Sequence, residues 1–165
     1  DFDIGALILA EHDTFRRAFD ALDELSDPAE LRARWQELAD ALEVHASGEE
    51  VVFYPELLHE VPDSEDETKH AVREHNEIRE AVSAVATHEA GSESWWAALR
   101  HAREVNAHHL DEEERELLPD FRERVDEAAR SELGMRWLEF HEEHERARGL
   151  SGAVKDPDEY VEQHT

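Results

Sequence analysis

Residues 45–55 read HASGEEVVFYP, and 64 residues further on, residues 109–119 read HLDEEERELLP. The two stretches share the frame H-x-x-x-E-E-x-x-x-x-P position for position. A glutamate four residues after a histidine stands one turn along on the same helical face, so each copy presents an imidazole and a carboxylate side by side. Each half also carries an earlier matching phrase. EHDTFRRA (11–18) and EHNEIREA (74–81) place Glu, His, Arg and Ala alike, offset by 63 residues. Two offsets that agree within one residue define a repeat whose unit is a helix pair.

Around these phrases every periodic stretch has the helical period, and none alternates as a strand would. The spacing predicts a first helix over 2–25 with the stripe Ile4, Ile8, Phe15, Phe19 and Leu22, and His12 in its gap. Asp27 and Pro28 form an N-cap and first-turn pair that opens the second helix. Its stripe runs Leu31, Trp35, Leu38, Leu42, His45, Glu49 and Val52. A third helix is predicted over 65–89, with Ala71, His75, Ile78, Val82 and Val85 in line, and a fourth over 94–130, with Leu99, Ala102, Asn106, His109, Glu113, Leu117 and Phe121. Pro55 and Pro119 are expected to bend or end helices two and four, and Trp95 and Trp96 to cap the bundle end. A shorter fifth helix is expected over 131–148. Residues 149–165 read as a flexible, loosely packed tail outside a domain spanning 1–148. Four long helices with short connections predict an all-α fold, an antiparallel up-down four-helix bundle with a short fifth C-terminal helix.

Composition limits what such a bundle can do. The chain has 165 residues, 44 acidic against 17 basic, for a formal charge of −27. Of the basic residues only Lys69 and Lys155 are lysines. A field this negative repels nucleic acid and anionic lipid, so neither is an expected partner. The acidic coat resembles that of proteins from salt-loving microbes, in which screening removes the self-repulsion. No apolar run approaches the length of a membrane span and no signal peptide is visible, so the expected location is cytoplasmic. Cysteine is absent, which excludes thiolate sites. Any metal here is held by nitrogen and oxygen.

The polar residues on the stripes decide the function class. His12, His45, Glu49, His75, His109 and Glu113 occupy core-facing positions near the middle of the four helices. Burying ionisable groups without partners costs several kcal/mol each. Six converging from four helices need a shared partner, and cations supply one. Bundle cores of this kind hold two metals with carboxylates between them. Imidazole and carboxylate without sulfur suit iron or manganese, with zinc and copper possible in principle.

The phrases EHDTFRR, HASGEEVVFYP, EHNEIRE and HLDEEERELLP resemble the hemerythrin-like, or HHE cation-binding, family over about residues 5–125. The resemblance implies a bundle holding two non-haem iron ions, with a bridging oxide or hydroxide, that binds oxygen, nitric oxide or peroxide. Manganese and zinc rank behind iron. Carried over, it implies His12, His45, His75 and His109 as nitrogen ligands and Glu49 and Glu113 as bridging carboxylates. The chain departs from the oxygen-carrying branch, whose fifth histidine lies one turn from the third-helix ligand. Here those positions are Ala71 and Arg79, and position 114, where that branch has an aspartate, is a glutamate. His70 lies roughly 140° round an ideal helix from His75 and reaches a metal only through a local bulge. Six ligands instead of seven leave more positions open, which permits peroxide or nitric oxide chemistry.

The expected function is therefore binding or sensing of a small ligand at a di-iron site. Catalytic detoxification of peroxide or nitric oxide at that site, or a regulatory metal domain without turnover, is the alternative. No general acid or base beyond the ligands stands out. Glu50 and Glu114 rank second as bridging groups, Glu11 and Glu74 read as surface residues, and Tyr54 as lining an access route. His101 and His108 read as outside the site, as do the histidines of HEEHE (141–145).

Overall fold

A computed structural model describes residues 2–165, and all of its regular elements are helical. Four rods form the bundle. The first is α1 (Ile4–Leu22), whose N-cap Asp3 accepts from the backbone N–H groups of Gly5 and Ala6. The second is α2 (Pro28–Gly48), capped by Asp27, with Pro28 in the first turn where its missing N–H costs nothing. It continues through a π-helical turn (Glu49–Phe53) into α3 (Tyr54–Glu60). The third rod is α4 (Glu65–Val85). The fourth is α5 (Glu93–Glu112), capped by Ser92, which runs through a second π-helical turn (Glu113–Leu117) into α6 (Leu118–Arg124). Successive rods pack on each other and α1 closes the ring against α5, as an up-down bundle requires.

Neither Pro55 nor Pro119 ends its rod. Each sits just past a π turn, in which Tyr54 N–H reaches back to Glu49 and Leu118 N–H to Glu113, five residues away. The extra residue absorbs the lost donor and rephases the helix. The fourth rod is also shorter than 94–130. It stops at Arg124, because Val125 is extended and Asp126 caps a new helix, α7 (Glu127–Glu143), which starts earlier than expected.

Two apolar clusters fill the bundle, one on each side of a polar layer. Phe15, Phe19, Leu31, Trp35, Leu42, Val85 and Trp95 occupy one end, so Trp95 does pack into a bundle terminus. Ile8, Val52, Phe53, Leu57, Val72, Phe121 and Trp137 occupy the other. α7 lies along α1, closely enough that a Cβ on Gly134 would strike the Phe2 carbonyl. Where the sequence reads as a tail, the structure has α8 (Pro157–His164) packed on α4 with Tyr160 and Val161 buried. Asn76 pairs twice with the Lys155 backbone, donating to its carbonyl and accepting from its N–H. The periodicity of so short a helix is too weak to announce it.

Candidate metal centre

The polar layer is built from six side chains. His12 comes from α1, His45 from α2, His75 from α4 and His109 from α5, while Glu49 and Glu113 open the two π turns. None is more than 4% exposed. All six sequence-predicted residues meet at one interior place.

They meet in two overlapping groups that share both glutamates. In the first, His12 Nε2 lies 3.2 Å from Glu113 Oε1 and His45 Nε2 3.5 Å from Glu49 Oε2. These four atoms are buried and have no hydrogen-bond partner among the described residues. Four converging buried donor atoms without a hydrogen-bond partner suit a cation. In the second group, His75 Nε2 lies 3.0 Å from Glu49 Oε1 and His109 Nε2 3.4 Å from Glu113 Oε2. Each glutamate thus turns one oxygen to each group, which is the disposition of a carboxylate spanning two cations. The residues fit metal binding.

Which ring nitrogen faces inward is fixed from outside. Every Nδ1 meets a carboxylate: His12 that of Glu114 at 2.7 Å, His45 that of Glu11 at 2.9 Å, His75 that of Glu50 at 2.7 Å and His109 that of Glu74 at 2.9 Å. An Nδ1–H donated to a carboxylate leaves the Nε2 lone pair for a metal and raises its basicity. Glu11 and Glu74 bond within their own helix pair, Glu50 and Glu114 across to the other pair, so the outer ring obeys the same two-fold repeat. Matched arginines hold the crossing pair: Arg16 Nη2 lies 2.9 Å from Glu114, and Arg79 donates to both Glu50 oxygens at 3.0 Å. Glu11 instead accepts from Trp137 Nε1 of α7 at 2.8 Å, with His141 Nε2 equally near. Burial pushes Glu11 up, but His141 and His45 outweigh it and hold its carboxyl down at about 2. Burial would likewise lower His45, yet Glu49 and Glu11 hold the metal-free imidazole up at about 10.

One further side chain reaches the second group. Tyr54 is fully buried, and its hydroxyl donates to Glu113 Oε2 at 2.8 Å while lying 3.2 Å from His75 Nε2 and 3.3 Å from Glu49 Oε1. Burial and the Glu113 and Glu49 carboxylates keep the phenol well above its ordinary pKa, so it holds its proton in the metal-free site. Its counterpart in the repeat, 64 residues on, is Leu118.

Several readings change accordingly. Tyr54 sits in the centre rather than along a route to it. Glu11 and Glu74 are outer carboxylates, not surface residues, and Glu50 and Glu114 serve there too rather than as bridges. His141 is held against Glu11. His70 is half exposed and stays outside the buried centre, because α4 is a regular helix with no bulge to swing it in. His101, read as outside the site, is exposed. The missed residues had a signal in the repeat itself: Glu11 and Glu74 match at the 63-residue offset, and the residue directly before the shared proline is Tyr54 in one copy and Leu118 in the other.

Among known families, the model described as hemerythrin HHE cation binding domain matches residues 3–121. Neither a curated protein nor a solved structure matches the chain.

Proposed function

Since the chain belongs to the hemerythrin HHE cation-binding family, we propose that it is a non-haem di-iron protein that binds or senses a small ligand such as oxygen, nitric oxide or peroxide. One observation carries this reading. Glu49 and Glu113 each offer one oxygen to both halves of a buried donor set whose four imidazoles are all fixed with Nε2 inward. Imidazole and carboxylate donors suit iron, with manganese and zinc behind it. When bound, two irons supply electrons and open coordination positions to a small ligand. The protein's own part is to fix the donors, exclude water with the two apolar clusters and leave the ligand count low.

A catalytic reading at the same site rests on Tyr54, whose retained proton lies within the donor set. A buried phenol there can deliver that proton to a bound peroxide or nitric oxide. The acidic coat favours a cytoplasm of high salt and disfavours nucleic acid and anionic membrane as partners; no helix among the described residues is long and apolar enough to cross a membrane.

Metal analysis with an absorption spectrum tests the reading. About two irons per chain are expected from the two-cation donor set, with His45→Ala and His109→Ala each losing bound metal. Metal content untouched by both substitutions would remove the assignment. Adding oxygen, peroxide and nitric oxide in turn then separates binding from turnover.

A further inference from the structure

The frame H-x-x-x-E recurs on the two helices of the second half, outside the buried copies: His70 with Glu74 on α4, and His108 with Glu112 on α5. These helices are antiparallel neighbours, and the two pairs face each other. His70 Nε2 lies 2.9 Å from Glu112 Oε2 and 3.3 Å from Glu74 Oε2. His108 Nε2 lies 2.9 Å from Glu112 Oε1 and 3.4 Å from Glu74 Oε2. One donor atom each from His70, Glu74 and Glu112 falls within 4.8 Å of the other two. The carboxylates are built into the wall, with side chains only 8% and 21% exposed for Glu74 and Glu112, while both imidazoles are accessible.

The other half of the repeat shows that this face is not dictated by the bundle. The positions matching His70, His108 and Glu112 are Leu7, Val44 and Gly48. Leu7 and Val44 pack into the apolar cluster, and a Cβ on Gly48 would stand 3.1 Å from Trp137 of α7. There α7 covers the face, and its Trp137 and His141 secure Glu11. On the other side the described residues leave His70 and His108 exposed. An opening of about 220 Å³ lies there instead, with His109 and Glu113 among its lining and Ala71 beside them. Apart from the histidines, every ionisable residue lining it is acidic, which draws cations in.

We propose that His70, Glu74, His108 and Glu112 form a second, surface site for a divalent cation of the zinc class, at the mouth of this opening. Two imidazoles and two carboxylates are a sufficient donor set for zinc. Glu74 belongs to both sites, giving Oε1 to His109 and Oε2 to the outer position, so it links an ion at the surface to a ligand of the buried centre. The outer site needs only these four side chains and does not depend on iron filling the inner one.

The test is a zinc titration of the purified protein in high salt, which screens unspecific binding to the acidic coat. Iron content and absorption are followed in the same sample. One zinc per chain beyond the buried metals is expected, bound at least tenfold more weakly in His70→Ala and in His108→Ala, with iron and spectrum unchanged. Both substitutions lie on exposed side chains, and circular dichroism checks that the helices persist. No additional zinc in the parent protein, or additional zinc that both variants hold equally well, overturns the site. Because iron is read separately, loss of either assignment leaves the other to stand or fall by itself.

Discussion

Tyr54 and Leu118 stand at the same place in the two copies of one helix pair, each directly before a proline, yet only Tyr54 puts a polar atom into the centre. The donor set is therefore symmetric in its histidines and glutamates and lopsided in its proton supply. Removing the hydroxyl with Tyr54→Phe keeps the ring that packs against His75 at 5.4 Å between centroids. Iron content should hold, while peroxide consumption per iron should fall on the order of 10²-fold, the scale of a lost general acid. A stopped-flow peroxide assay normalised to iron decides it; an unchanged rate would make Tyr54 a packing residue.

Glu11 touches no metal position, but it orients His45 and is itself gripped by Trp137 and His141. Glu11→Gln keeps the shape and removes the charge. Metal affinity should drop about 10- to 100-fold, as for other carboxylates behind a ligating histidine. Competition against a chelator measures this, with Glu24→Gln, an exposed glutamate on the same half, as the control that should change nothing.

The six inner residues were legible because a histidine or glutamate on an apolar stripe contradicts its surroundings, and one helix's periodicity suffices to see it. The outer ring was not. Glu11 directly precedes His12, so it lies about 100° round α1 and off that helix's seam. It serves a histidine on α2, and the relative placement of two helices is not written in either one's period. The π turns were hidden for a related reason. Pro55 and Pro119 signal a lost backbone donor, but whether the helix ends, kinks or takes in one more residue depends on packing beyond the proline. At α8 the helical signal is short, and burial of Tyr160 and Val161 does the work that propensity cannot.

The last helix is a strap on the centre's outer ring. The Tyr160 hydroxyl donates to the Glu50 carbonyl, and Lys155 Nζ lies 2.8 Å from Glu50 Oε1. Tyr160→Ala should cost ~3 kcal/mol, in the range of large buried side chains, and Tyr160→Phe about 1 kcal/mol for the lost hydrogen bond. Denaturant midpoints taken at one fixed salt concentration give both values. Equal, negligible losses would mean that α8 rests on α4 without supporting it.

A chain carrying −27 charges should need salt to fold well. Raising KCl from 0.1 to 1 M shortens the screening length from about 10 to about 3 Å, which relieves repulsion across the coat but barely reaches the buried ring. Thermal midpoints are expected to climb throughout that range. A full, salt-independent transition at low ionic strength would end the inference about habitat.

Metal and protons compete for the same nitrogens. In the metal-free site burial favours neutral imidazoles, but Glu49 and Glu11 hold His45 up at about 10, and Glu113, Glu49 and Glu74 hold His109 well above its ordinary value. Both therefore carry an extra proton at neutral pH, and a metal that takes Nε2 must displace it. Loading at pH 7.5 should release at least two protons per chain, about one from each of these imidazoles, read with an indicator dye in weak buffer. The stability slopes should oppose each other. A raised histidine pKa contributes stability that is full below 6.5 and fades as pH climbs through about 10, so the metal-free protein weakens over that interval. The metal-loaded protein gains, because fewer protons contest its ligands. Parallel slopes, or loading without proton release, would mean that the imidazoles are neutral before metal arrives and that the outer carboxylates do not set their charge.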